Sequence, residues 1–270
     1  MPCAANLAAN LGGTMPNILY ALENGVATVT LYRPEVMNAL STALRTELRA
    51  AIARAVGEAR VLVLTGTGRA FCSGQDLQDA QAAGAVDFER ILIDEYVPML
   101  RDITDCPLPT IAAVNGPAAG AGANLALGCD VVIATESASF IQAFTRIGLV
   151  PDAGGTHWLP RQIGMARAMG AMLFADKITA RQAADWGMIY EAVPDDTFAA
   201  HIRARAEHLA AGPTLAYRGI KAMLRKSFEQ DLPAQLEMEA AWQGQCGGSA
   251  DFREGVAAFL EKRAARFTGN

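Results

Sequence analysis

The sequence is poor in the residue types that metal, redox and nucleic-acid sites draw on. Its three histidines, His157, His201 and His208, form no H-E-x-x-H or similar pair, so a bound metal is not expected. The five cysteines, Cys3, Cys72, Cys106, Cys129 and Cys246, are scattered and never occur as C-x-x-C. They read as reduced thiols packed as small apolar groups, not as a disulfide framework. Positive charge is also scarce: 23 Lys and Arg against 28 Asp and Glu give a net charge of -5. That balance argues against a nucleic-acid partner, while a few local cations could still hold a small anionic ligand. Long apolar runs are missing too. The most apolar stretch, residues 110–134, is broken by Asn115, Pro117, Asn124, Asp130 and several glycines, so no membrane partner is expected. The opening MPCAANLAANLGGTMPN has neither a charged start nor a continuous apolar segment. Residues 1–16 are therefore expected to be a flexible leader, and the protein cytoplasmic.

What is present is a large apolar fraction, about half of 270 residues, enough for a sizeable core in one or two domains. Ile18–Leu22 and Val26–Tyr32 are β-type runs around Asn24-Gly25, a hairpin signal. Ser41 starts a helix carrying Leu44, Leu48 and Ile52. Val61–Thr65, Thr110–Val114 and Val131–Thr135 are continuous apolar runs typical of strands buried on both faces. A helix is expected over 88–103. Beyond about Asp195 helical periodicity dominates, in 198–211, 214–228, 234–246 and 251–267. Strands alternating with helices imply an α/β fold with parallel pairing.

Two segments repeat one design, a buried strand followed by a Gly-rich turn and a helix start: VLVLTGTGRAFCSGQDL (61–77) and TIAAVNGPAAGAGANLAL (110–127). Glycine turns let a ligand approach backbone N–H groups, and helix starts carry unpaired donors. Two such ends converging would suit a developing oxyanion, although such turns are also common as plain structure. The nucleotide alternatives fail on the residues: Gly120-Ala121-Gly122 continues to Leu125 where G-x-G-x-x-G needs Gly, and no Gly-Lys-Ser/Thr exists. A third segment, RIGLVPDAGGTHWLP (146–160), holds Asp152. Asp152 is either the N-cap of the next helix or a carboxylate beside apolar groups with its pKa raised for proton transfer, and both hold if Thr156 caps instead.

These motifs, with YRPEVMNAL before them and AADWGMIYEAV and REGVAAFLEKRAARF after, resemble the crotonase, or enoyl-CoA hydratase/isomerase, family over roughly Ile18 to Phe267. The resemblance implies a spiral of ββα units (residues 17–205) binding CoA thioesters, a C-terminal helical trimerisation region (206–270), and a homotrimer or dimer of trimers. It implies no cofactor, coenzyme A being part of the substrate. By motif position the oxyanion-hole N–H groups belong to Gln75 and Ala121. The substrate pocket would involve Arg33, Ala70, Ser73, Gly74, Asp76, Leu77, Gly120 and Phe144. Phe259 and Lys262 match positions that reach CoA on a neighbouring subunit, Lys262 being equally a solvated helix charge. Family hydratases use two glutamates; those positions here hold Asn124 and Phe144, which cannot act as bases. Asp152 stands where several family isomerases and a dehalogenase keep one carboxylate, and AFCSGQDL with GLVPDAGGTHWLPR resembles the ring-1,2-epoxyphenylacetyl-CoA isomerases, which make oxepin-CoA. The expected activity is isomerisation through a thioester enolate, with Phe140, Phe144 and the helix 91–103 as acyl-pocket walls or core. A hydratase, and more remotely a dehalogenase, a ring-cleaving hydrolase or a non-catalytic acyl-CoA binder, are the alternatives.

Overall fold

A computed structural model describes residues 15–82 and 87–270. The chain opens on a hairpin, β1 (Ile18–Glu23) and β2 (Val26–Leu31). Asn24 and Gly25 both take positive φ, 51° and 76°, the type I′ geometry that matches strand twist. Helix α1 (Thr42–Glu58) follows, its first turn capped by the Ser41 hydroxyl, which accepts from the Leu44 N–H at 3.2 Å. Next come β3 (Val61–Gly66), α2 (Leu77–Ala82), α3 (Phe88–Ile91) and α4 (Val97–Thr104). Then β4 (Thr110–Val114), β5 (Ala118–Ala119), α5 (Ala121–Leu127), β6 (Val131–Thr135) and β7 (Ser139–Ile141). The rest is α6 (Gly155–Phe174), β8 (Ile178–Thr179), α7 (Ala180–Asp185), β9 (Glu191–Val193), α8 (Phe198–Ala210), α9 (Thr214–Lys226), α10 (Leu232–Gly247) and α11 (Ala250–Glu261).

Six strands form one sheet in the order β1-β2-β3-β4-β6-β9, parallel except for the β1–β2 hairpin, and β5, β7 and β8 form a second, small sheet. The alternation within β3 explains its unbroken apolar run. Leu62 and Leu64 join the main core with Leu44, Leu48, Ile52, Met99 and Leu125, whereas Val61 and Val63 pack with Ile111, Ile133 and Ile202 on the opposite face. Both faces are covered, so no polar alternation is tolerated.

Several sequence expectations need correction. The helix over 88–103 is not uniform: Leu92–Tyr96 is a π turn between α3 and α4, in which the Val97 N–H reaches the Leu92 carbonyl. Pro98 explains it, because proline has no N–H to give and its ring would strike the carbonyl one α-helical turn back. The last helix stops at Glu261 instead of continuing to 267, since Lys262 takes a left-handed φ of 55°. The chain then folds back, and the buried Asp251 carboxylate accepts the N–H groups of Thr268 (2.7 Å) and Gly269 (2.8 Å). Neither Asp152 nor Thr156 caps α6. Its N-cap is Gly154 at φ 81°, with no side-chain cap bond. Most of the leader expected over residues 1–16, including Cys3, lies outside the described residues.

Candidate active site

The two Gly-rich turns and the Asp152 turn meet at a cavity of about 280 Å³. Gly74 sits at φ 94°, and a Cβ there would lie 2.8 Å from the Ala119 carbonyl and 3.4 Å from the Ala121 nitrogen. Only glycine lets the backbones approach so closely. Leu40 fixes the first turn, its N–H donating to the Gly74 carbonyl (2.8 Å) and its carbonyl accepting from the Asp76 N–H (3.3 Å). That pairing skips the Gln75 N–H. Ala121, the first residue of α5, also has no carbonyl one turn back. Neither N–H has a partner among the described residues, and both residues line the cavity. Two unpaired donors on converging turns can receive one oxygen that gains negative charge.

Asp152 lines the same cavity, half-buried, and its Oδ1 has no hydrogen-bond partner among the described residues. Burial pushes its carboxyl up to about 6. Much of the wall is apolar, with Leu77, Phe88, Ile91, Leu92, Phe144 and Leu149, while Ser73, Gln75, Tyr96 and Arg146 add polar side chains. Among the described residues, Asp152 is the only carboxylate lining the cavity.

Of the residues expected at the site, Ser73, Gly74, Gln75, Leu77, Gly120, Ala121, Phe144 and Asp152 come together there. Arg33, Ala70 and Asp76 are not among the residues lining the cavity. Arg33 donates to the Asp76 carboxylate at 2.7 Å, and Asp76 also accepts the Gln78 and Asp79 N–H groups that open α2. Burial works against charging Asp76, but the Arg33 guanidinium and those N–H groups hold its carboxyl below the usual range. The Ala70 carbonyl accepts from Asn38, so it acts as part of the loop frame. Phe259 and Lys262 sit on or just past α11 outside the cavity, Phe259 being 83% exposed. Phe140 is fully buried core and not a cavity wall; from the helix 91–103, only Ile91, Leu92 and Tyr96 reach the cavity.

Sequence reasoning missed Arg45 and Tyr96. The Tyr96 hydroxyl donates to Gln75 Oε1, which also accepts from Arg45 Nη1 at 3.2 Å. The fully buried Arg45 guanidinium lies 4.6 Å from the Tyr96 ring centre and pairs with Glu95. Burial raises the Tyr96 phenol, which keeps it a donor. An available signal was Arg45 itself, a charge set among the apolar positions Leu44, Leu48 and Ile52 of α1. Cys72, Cys106 and Cys129 are buried and unpaired, and burial pushes the Cys72 and Cys129 thiols up to about 12, so they are inert. Among the described residues no three His, Cys, Asp or Glu gather as a metal site, and no helix is long and apolar enough to cross a membrane.

The profile of the enoyl-CoA hydratase/isomerase family matches residues 21–270. A Rhodobacter capsulatus protein named "Probable enoyl-CoA hydratase" is 63% identical over 93% of this chain and 98% of its own. The 1,2-epoxyphenylacetyl-CoA isomerase of Escherichia coli K12 is 45% identical over 94% of this chain and 99% of its own. The solved enoyl-CoA hydratase of Bacillus anthracis is 33% identical, covers 94% of this chain and 100% of its own, and superposes with a TM-score of 0.89. The expected crotonase-like α/β fold is thereby shown.

Proposed function

Because the chain belongs to the enoyl-CoA hydratase/isomerase family, we propose that it is a CoA-thioester isomerase in which Asp152 alone carries the proton. The observation behind this reading is that Asp152 is, among the described residues, the only carboxylate lining the cavity. Syn-addition of water by the family's glutamate pair needs two carboxylates; Asn124 and Phe144 stand at those positions. A proton shuttle needs one.

The thioester oxygen accepts hydrogen bonds from the Gln75 and Ala121 N–H groups, which acidifies the carbon next to the carbonyl. Ionised Asp152 takes that proton, and the electron pair spreads as a dienolate along the acyl chain. The now neutral carboxylic acid returns the proton at C4, so a 3-enoyl thioester becomes a 2-enoyl thioester with no net gain or loss of atoms. In a ring epoxide the same stabilised carbonyl favours C–O opening, and the likeness to the E. coli isomerase makes 1,2-epoxyphenylacetyl-CoA the preferred test substrate. Exposed apolar side chains on the C-terminal helices, among them Leu224, Leu236, Phe252 and Leu260, support trimer assembly through residues 206–270. Arg33 and Asp76 would then frame the CoA-binding loop, and Phe259 and Lys262 would reach a neighbour's CoA.

The second reading, hydration, draws on the name of the R. capsulatus relative. Crotonyl-CoA separates the two. Its hydration is expected to run at least about 100-fold slower than isomerisation of 3-hexenoyl-CoA, the usual worth of one missing general acid or base. Equal rates would overturn the isomerase reading. A coupled product assay with 3-hexenoyl-CoA and a phenylacetyl-type CoA epoxide, side by side, identifies the acyl group.

The pH profile follows from the carboxyl at about 6. Asp152 must be ionised to accept a proton, so kcat/KM should fall about tenfold per pH unit below 6 and level off above it. A limb centred near 4 would mean that the proton-accepting group is not in this environment.

A further inference from the structure

We propose that Asn124 and Gln142 are positioning residues, a directional amide pair that holds the Asp152 main chain so that its carboxylate is aimed at the substrate with Oδ1 free of any donor. The inference rests on the reading of Asp152 as proton carrier. Asn124 lies in α5, Gln142 directly follows β7, and Asp152 stands in the turn before α6. The three elements meet away from solvent: Asn124 is 0% and Gln142 1% exposed. Asn124 Nδ2 donates to the Asp152 carbonyl at 2.8 Å, and Gln142 Nε2 donates to Asn124 Oδ1 at 2.8 Å. The Gly155 N–H supplies the Asp152 carbonyl with a second bond at 2.9 Å.

A carboxamide has one donating and one accepting end. The Asp152 carbonyl accepts only, so Asn124 must turn its Nδ2 towards it. Its Oδ1 then faces Gln142, whose Nε2 locks that orientation from behind. The alternative way of fixing a carboxylate, by donors to its own oxygens, would stabilise the charged form and weaken it as a base. Holding the carbonyl avoids this and agrees with the unpartnered Oδ1. The held turn is also an unusual one: Ala153 and Gly154 both take positive φ, 48° and 81°. It needs an external clamp to stay there. Gly155 belongs to the same device, because any Cβ at that position would lie 2.4 Å from Asn124 Nδ2.

The test is steady-state kinetics and acyl-CoA affinity for Asn124→Leu, Gln142→Met and the double variant, beside Asp152→Asn, all with 3-hexenoyl-CoA. Asn124→Leu should lower kcat about 10- to 100-fold with KM within about threefold, since a small misplacement of the base acts only on the chemical step. Gln142→Met, which touches the turn only through Asn124, should lower kcat about 3- to 10-fold, and the double variant should be no slower than Asn124→Leu alone. A residue that merely supports the fold would change the melting temperature or KM and leave kcat in place, and that result overturns the inference. If Asn124→Leu does not fold, Gln142→Met decides: lost kcat supports the amide pair and unchanged kcat refutes it. If Asp152→Asn keeps wild-type turnover, the proton-carrier reading falls and this inference with it. If Asp152→Asn is inactive while both amide variants keep wild-type kcat, only this inference falls.

Discussion

Asp152→Asn is expected to lower isomerase turnover about 10²- to 10⁴-fold while the affinity for acyl-CoA stays within about threefold. Asparagine has nearly the same shape, so the cavity and its apolar walls remain. What disappears is, among the described residues, the only carboxylate lining the cavity. The same substitution should stabilise the folded protein. An acid whose folded pKa is raised, here from 3.8 to about 6, binds its proton more tightly folded than unfolded. Its contribution favours folding at low pH and is lost as pH rises through 6, so at pH 7 to 8 the wild-type protein bears a cost of up to about 3 kcal/mol. Thermal or urea unfolding should therefore show Asp152→Asn gaining stability above pH 6, with the gain vanishing below about pH 4. Gained stability with lost turnover is the signature of a buried functional acid; replacing a structural carboxylate would instead cost stability.

The second large effect is expected from Ala121→Pro, a loss of about 10²- to 10³-fold in kcat. Position 121 is the first residue of α5, where proline fits the helix and its missing N–H breaks no intrahelical bond. Gly120 before it has ψ −127°, outside the α region that a following proline disfavours. The substitution replaces one hydrogen-bond donor with a ring methylene and leaves Asp152 and Asn124 in place. Circular dichroism and melting should match wild type, and slow deuterium exchange at the carbon next to the carbonyl would mark the lost enolate stabilisation. Wild-type kcat for a folded Ala121→Pro protein would remove Ala121 from the oxyanion hole.

Much of the sheet was legible because its chemistry is local. β2, β3, β4 and β6 are runs of buried apolar residues, and the Asn24-Gly25 turn carries its own geometry. β5, β7, β8 and β9 were not, being two or three residues long and too short for any period to register. The π turn before Pro98 was missed because helical spacing on either side of it looks continuous. At the site, glycine turns and Asp152 were readable from motif resemblance, and the cavity assembles those residues. Whether Arg33, Ala70 and Asp76 line the cavity is not legible in sequence, since that depends on how the loop after β3 folds against Asn38 and Leu40. Tyr96 and Gln142 were invisible for the same reason: they become relevant only through contacts with residues 18 to 51 positions away.

Incubation of the wild-type protein with 3-hexenoyl-CoA in D₂O, followed by mass spectrometry of the thioester, tests the single-carboxylate account most directly. The account predicts 2-hexenoyl-CoA as the first product, carrying exchanged deuterium on the acyl chain, with Asp152→Asn giving neither product nor exchange. Formation of 3-hydroxyhexanoyl-CoA as fast as the isomer, or undiminished exchange in Asp152→Asn, would contradict it.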